Sequence, residues 1–371
     1  MTDQAPKTNI LEQSQTSWQT DHRPAGCPSC KRAFLVPADR ISASCPLCRS
    51  STLNPQPAHL TINQPEKLLP FKTNQSKLKQ IYTEFVSGIW LIPEDFSAES
   101  LLKRTQTVFW PMWLVDSDID GHWQMEAGFD YQVQSAKEVY SGGEWHSRKE
   151  IEKRIRWEPR LGTAEIHVDN ICVPALEEHH NRLQETGAYP LDRALPFTNA
   201  QLDNTIIEVP DLTPREAWRL ARPQVQRELG KICISASGAD HQKDFTIQAE
   251  YHKLNWTQFL LPMYTTHYLD DEGSPRVLVV NGVTGSIHGP RLASRKRGLR
   301  LAGIMAGIAG AVLLIALIGL LLAAVFPPAG LIAAFLGVLG FGVGLSAILP
   351  AVWPGQHNRK QRDLRIIRKT S

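Results

Sequence analysis

Four cysteines carry the clearest chemistry in this chain. Cys27-Pro28-Ser29-Cys30 and Cys45-Pro46-Leu47-Cys48 are two CxxC pairs with 14 residues between them. Two residues between thiolates let both sulfurs of a tight knuckle face one ion, and two knuckles give four sulfurs in tetrahedral array. That donor set suits a closed structural zinc site, with rubredoxin-like iron as the alternative, and it leaves no open position for catalysis. Metal ligands are therefore expected at Cys27, Cys30, Cys45 and Cys48, in a zinc ribbon spanning 24–50. Ala33 to Val36 and Ile41 to Ala43 suit the strands of the ribbon hairpin, with Pro37-Ala38-Asp39 as its turn. Cys172 and Cys233 stand alone and read as packing residues, and this usage fits a reducing compartment.

The other candidate groups are weaker. The ribbon carries Lys31, Arg32, Arg40 and Arg49 against Asp39, with Phe34 its only ring. Nucleic-acid grooves interleave stacking rings with basic charge, so a protein contact or a structural role is favoured over nucleic acid. Asp116, Asp118 and Asp120 alternate like the opening of a calcium loop, but Gly121 comes one place late and the distal Glu is absent. They read as acidic decoration of a solvated strand edge. His179-His180, after Glu177-Glu178, lacks a third ligand and reads as a solvated loop. Asn281-Gly282-Val283-Thr284-Gly285 has no helix behind it to hold phosphate, and reads as the turn between strands Val277–Val280 and Ser286–His288. Trp110 and Trp113 read as core rather than a ligand platform. The block 148–160, with six basic and three acidic residues, reads as a solvated face or a turn-flanked strand. No nucleophile is paired with a base, so the reading is of a non-catalytic protein.

The elements that must position these groups are of mixed type, an α+β fold. Residues 1–23 are polar, without the apolar core of a secretory signal, and read as a disordered lead. Residues 51–68, with Pro55, Pro57 and Pro65, read as a linker to a body over 69–290. Within the body Val108-Phe109-Trp110-Pro111-Met112-Trp113 echoes Phe259-Leu260-Leu261-Pro262-Met263-Tyr264. Each precedes a predicted hairpin, turning at Asp120-Gly121 into His122–Met125 and at Glu272-Gly273 into Arg276–Val280. Upstream, Leu69-Pro70-Phe71 precedes a helix with Leu78, Ile81 and Phe85 on one face. Val209-Pro210-Asp211 precedes a second, capped by Thr213-Pro214-Arg215-Glu216. Trp218, Ala221, Val225 and Leu229 share its face, and Pro223 should kink it. The pattern predicts two repeated α+β units.

The C-terminal part reads as a transmembrane hairpin over 301–353. Leu301–Phe326 and Leu331–Leu349 are uncharged and apolar, each long enough for a bilayer core about 30 Å thick. Neither run holds an ionisable residue, which argues against an ion pathway. Gly303-x-x-x-Gly307 and Gly340-x-x-x-Gly344 are faces that permit close helix approach, either between the spans or with another membrane protein. The segment 291–300 carries five basic residues and no acid, and the tail 354–371 six against Asp363. Each flank is thus +5; against a whole-chain charge of +3 the remainder is −7 (3 − 10). Basic flanks stay on the cytoplasmic side, which puts both termini there, beside anionic lipid.

In order, these features resemble the bacterial zinc-ribbon membrane proteins of phage-shock-type envelope-stress loci. The likeness rests on the CPSC and CPLC knuckles, Leu69-Pro70-Phe71 with its helix, Trp110-Pro111-Met112-Trp113, Leu261-Pro262-Met263-Tyr264, and Val280 to Gly285 just before the spans. Lys31 and Arg49 depart from the Gly common after each knuckle, and Tyr264 from a common Trp. Such proteins are often labelled relatives of the replication restart helicase, primosomal protein N′. This chain has no GxxxxGK[ST] loop to support that label. The resemblance implies an inner-membrane anchor or adaptor that recruits phage-shock protein A-type coats and band-7 (SPFH) scaffolds, with homo-oligomers allowed. The rival reading is a membrane-tethered nucleic-acid-binding regulator using the ribbon, which the −7 outside the flanks disfavours.

Overall fold

The computed structural model describes residues 22–40, 43–56, 64–141, 144–202 and 204–370. The lead as far as residue 21, Ile41-Ser42 of the expected ribbon strand, and 57–63 of the expected linker lie outside the described residues. The strands are β1 (His22–Gly26), β2 (Ala33–Pro37), β3 (Asn54–Pro55), β4 (Pro65–Leu68), β5 (Gln106–Ser141), β6 (Glu144–Pro174), β7 (Leu195–Pro196), β8 (Ile206–Glu208), β9 (His241–Leu269), β10 (Pro275–Asn281) and β11 (Ile287–His288). The helices are α1 (Gln75–Val86), α2 (Ala98–Lys103), α3 (His179–Thr186), α4 (Pro214–Ser237), α5 (Arg295–Leu322), α6 (Pro328–Ser346) and α7 (Ile348–Thr370).

The sheet is built around β5 and β9, which run antiparallel with Trp110 opposite Leu261. The two Pro-Met segments are thus direct neighbours. On its other side β5 pairs with β8 at Val108–Phe109 and with β6 from Met112 onward. β9 likewise pairs with β4 as far as Leu260 and with β10 from Met263. Pro111 and Pro262 stand where each strand changes partner. A proline has no N–H to give a ladder, so these are the places where a neighbouring strand can end and another begin. Helix α1 packs on Tyr264, Tyr268, Leu278 and Val280 of β9–β10, together with α2. Helix α4 packs its Ala217 and Ala221 on Trp113, Val115, Val173 and Trp256. Each helix therefore covers the hairpin of the other half. Trp110 and Phe109 are fully buried at the centre, where burying such a ring contributes about 1.5–3 kcal/mol.

The structure corrects several expectations. The turn expected at Asp120-Gly121 is absent: β5 runs through it unbroken and pairs with both β6 and β9. Gly121 serves close approach instead, since a Cβ there would lie 2.6 Å from the Gln248 carbonyl oxygen. Pairing on both sides outweighs a local turn preference. The 51–68 segment is not a free linker, because Asn54–Pro55 pairs with β1 and Pro65–Leu68 with β9. His22 and Arg23, assigned to the lead, belong to β1. The ribbon hairpin is β1–β2, with Ala38–Arg40 a short helical turn. It is not a separate knob, because β2 pairs with β8 and joins the main sheet.

Strands β5 and β6 continue past the Gly128–His241 pair, where β9 leaves β5, as a two-stranded ribbon closing at Ser141 and Glu144. At about 3.3 Å per residue the path from Leu269 to the arm's tip is on the order of 100 Å. Before the arm begins, the β5–β9 register shifts at irregularities between Asp116 and Asp118 and between Gln124 and Glu126.

At the opposite end of β9 lies the junction with the apolar helices. α5, and the run of helix from Pro328 to Gln361, are each long and apolar enough to cross a membrane, and most of their side chains face outward. Ser294 caps α5 by accepting from the Arg297 N–H, and its hydroxyl donates to Asp271. The Ser294 N–H donates to the Leu91 carbonyl at 2.7 Å. Asn358 of α7 bonds both the N–H and the carbonyl of Ala293, and His357 meets the Arg291 carbonyl. Trp90 of the body packs edge-on against Trp353. Gly340 and Gly344 receive Leu313 and Ala309 of α5, whereas a Cβ at Gly303 or Gly307 would meet no atom within 4 Å.

Gly121→Ala is expected to cost about 1–3 kcal/mol by overpacking, seen as a lower thermal midpoint of the purified chain. Gly303→Ala should leave that midpoint unchanged.

Candidate metal centre

Each knuckle is a tight turn closed by backbone bonds. The Lys31 N–H donates to the Cys27 carbonyl at 3.0 Å and the Arg49 N–H to the Cys45 carbonyl at 3.1 Å. Lys31 and Arg49 take left-handed φ of 62° and 58°. Glycine is the usual solution at such a place, and a larger residue costs roughly 1–2 kcal/mol. The four sulfurs converge: Cys27 Sγ lies 3.6 Å from Cys48 Sγ, Cys30 Sγ 3.7 Å from Cys45 Sγ, and all four lie within 4.8 Å of one another. Zinc–sulfur bonds of about 2.3 Å in a tetrahedron place sulfurs about 3.8 Å apart, so the donors fit such an ion without rearrangement. All four are free thiols. A bound metal would tie the two knuckles together; the described geometry gives it no open position for a substrate.

The thiols differ in how readily they ionise. Burial opposes the Cys27 thiolate, but backbone N–H groups of Cys30 and Ser29 outweigh it and bring the thiol down to about 7. Burial pushes Cys30 up to about 11 and Cys45 further still. A metal must displace protons from the last two, so its binding weakens as pH falls.

The residues after the knuckles fix the ribbon to the body. Arg49 reaches β9, donating to the Thr265 carbonyl at 3.2 Å and its hydroxyl at 3.1 Å. Burial lowers its pKa to about 10, and Cys45 and Cys48 beside it favour its charge. It is a nearby counter-charge for a four-thiolate metal centre, which would carry −2 with a divalent ion. Arg32 enters an ion cluster with Glu208 at 2.7 Å, Glu178 at 2.9 Å and Asp211 at 3.4 Å. Glu208 is fully buried and also meets Arg182 at 3.4 Å. Removing one partner from such a cluster costs about 3–5 kcal/mol because a buried charge is left behind. An open cleft of about 700 Å³ lies beside this cluster, between Cys30, Lys31 and Cys48 of the knuckles, Glu185 of α3, and Val277 and Val279 of β10.

Other candidates do not converge. Asp116 accepts from the Asn170 N–H, Asp118 pairs with His167 and Lys253, and Asp120 with His252. They are stitched separately to neighbouring strands. His179 is not in a solvated loop. It opens α3, is buried, and packs on Trp110 with ring centroids 5.3 Å apart. Burial, with His180 and Arg182 nearby, lowers its pKa from 6.5 to about 4. Trp110 and Trp113 are core, donating to the Tyr189 hydroxyl and the Leu212 carbonyl. Asn281–Gly285 is a turn in which the Asn281 side chain accepts from the N–H groups of Val283 and Thr284. The clasp made by Arg32 and Arg49 escaped sequence reasoning. For Arg49 the signal was an arginine at a place that prefers glycine; Arg32, one residue past such a place, gave none.

No family model, no curated protein and no solved structure matches the chain.

Ser in place of Cys27 and Cys30 is expected to abolish bound metal and, through β2–β8, to lower the melting midpoint of the body. Native mass spectrometry and thermal melts check both. His179 adds a pH dependence. Its folded pKa lies below its unfolded value, so stability is full above pH 6.5 and falls as pH drops towards about 4. His179→Gln should flatten that part of the profile relative to the parent chain.

Proposed function

We propose that the protein is a non-catalytic membrane adaptor that displays a zinc-stabilised body and a long β arm from a two-span anchor. The junction carries this reading. Ser294 at the start of α5 bonds Leu91 and Asp271 of the body, and Asn358 and His357 of α7 bond Ala293 and Arg291 just before α5, so the displayed surface has a set pose. A merely tethered domain would need only a flexible linker. In this reading zinc is the metal, both termini lie in the cytoplasm, and the membrane is the bacterial inner membrane, as the basic flanks suggest. The body is a pair of β-α-β-β units, each helix packed on the other's strands, which is supported by the matching partner changes at Pro111 and Pro262.

The partners are membrane-remodelling coat or band-7 scaffold proteins, the classes implied by the family the sequence resembles. The rival, nucleic-acid binding by the ribbon, loses support because Arg32 and Arg49 are engaged with the body.

Mild-detergent purification from native membranes, with nuclease and mass spectrometry, tests the choice. A membrane-associated protein recovered at equal yield with and without nuclease is expected. Recovery of nucleic acid and its binders alone, lost on nuclease treatment, would overturn the adaptor reading.

A further inference from the structure

Among the described residues β6 pairs with β5 alone, so one edge of a 31-residue strand has no strand beside it. Long open edges invite pairing, and proteins commonly blunt them with charged side chains. The charges of β6 are of both signs, in short blocks. Its even positions carry Glu150, Glu152, Arg154, Arg156 and Glu158; its odd positions carry Lys149, Ile151, Lys153, Ile155 and Trp157. The odd face carries exposed apolar side chains alongside its two lysines: Ile151 is 62%, Ile155 41% and Trp157 40% accessible. Trp145, 69% accessible, extends this face towards the tip and packs on Tyr140. A two-stranded ribbon is marginally stable by itself, so this length of arm gains from a further strand.

We propose that β6 pairs antiparallel with β6 of a second copy of this chain, about a two-fold axis at Lys153. In that register Glu152 faces Arg154, Ile151 faces Ile155, Glu150 faces Arg156, and Lys149 faces Trp157, each pair occurring twice. The only like pair is Lys153 with itself on the axis. Neighbouring two-fold registers are poorer. An axis at Ile151 sets Glu150 against Glu152 and Lys149 against Lys153, and an axis at Ile155 sets Arg154 against Arg156. An axis at Glu152 or Arg154 sets an isoleucine against Lys153. A shift of the axis therefore loses matched pairs. Two-fold pairing of one surface with itself is also the commonest closed symmetry. The existing contacts along the strand, Arg154 with Glu152 at 2.8 Å and Arg156 with Glu158 at 2.9 Å, hold the charged groups on one face of the ribbon. The product is a four-stranded sheet whose odd face joins the apolar stripes of both arms.

The test uses the full chain in native membranes. Lys153→Cys is oxidised, and a species of twice 41.5 kDa, absent from the parent chain, is expected without reductant. Adding Glu152→Arg or Arg154→Glu sets like charges opposite each other and should cut that species roughly tenfold. Adding both together restores opposite charges and should restore the yield. Metal content equal to the parent and maleimide labelling of the introduced thiol show that each variant is folded and that thiol accessible. The proposal falls if the accessible thiol forms no dimer, if the single reversals leave the yield unchanged, if the double reversal fails to recover it, or if the introduced thiol bonds to a different protein instead.

Discussion

A proline cannot give a hydrogen to a β ladder, and two prolines set the plan of this molecule. Pro111 and Pro262 sit one on each side of the Trp110–Leu261 pair, in the two central strands. Opposite each, one neighbouring strand ends and another begins. The parallel strands β4 and β8 come in on one side of these points, and the long antiparallel partners β6 and β10 leave on the other. The burial of Trp110, Phe259 and Met263 in one core cluster with the ribbon's Cys27, Phe34 and Cys45 follows from that meeting point.

The cluster of four thiols gains its place from the same plan. β8 is the strand that fills β5's edge before Pro111, and β8 is what β2 of the ribbon pairs with. Glu208 at the end of β8 then becomes the buried anion that Arg32 meets. Arg49 approaches from the second knuckle and ends on Thr265, which lies opposite Gln106 at the start of β5. The thiol cluster is thus wired into the main sheet at two points, so the loss of a metal held there would reach further than the 24–50 segment.

Much of the site and some of the fold were legible in the sequence. The cysteine spacing picked out the four thiols that converge, because two tight knuckles turn both pairs towards one point. The capping box at Thr213 is present as written, and Asn281–Gly285 forms its turn. These are local signals with local causes. The reading failed where distant chain decided. Asp120-Gly121 has the composition of a turn, yet strands on both sides hold it extended. His179 is polar and beside glutamates, yet it opens a helix over the Trp110 ring. Nothing in 129–157 distinguishes a short hairpin from an arm, because alternation gives a strand's faces but not where it stops. The ties at Asn358 and His357 join residues more than 60 positions from their partners, a pairing no window of sequence contains.

The junction and the arm together have a mechanical consequence. α7 follows the second apolar helix, and its Asn358 is bonded to Ala293, the residue before the Ser294 cap of α5. The body in turn grips α5 at its first turn. In the proposed membrane setting, helix tilt, set by bilayer thickness and lipid composition, would therefore be passed on to the body. With the tip at most on the order of 100 Å from that pivot along the strands, a tilt of about 5° would displace it by up to roughly 10 Å. With the apolar helices in lipid, as proposed, the molecule would act as a lever whose short end is in the bilayer and whose long end is the arm, so that a small change in tilt becomes a larger movement at the tip.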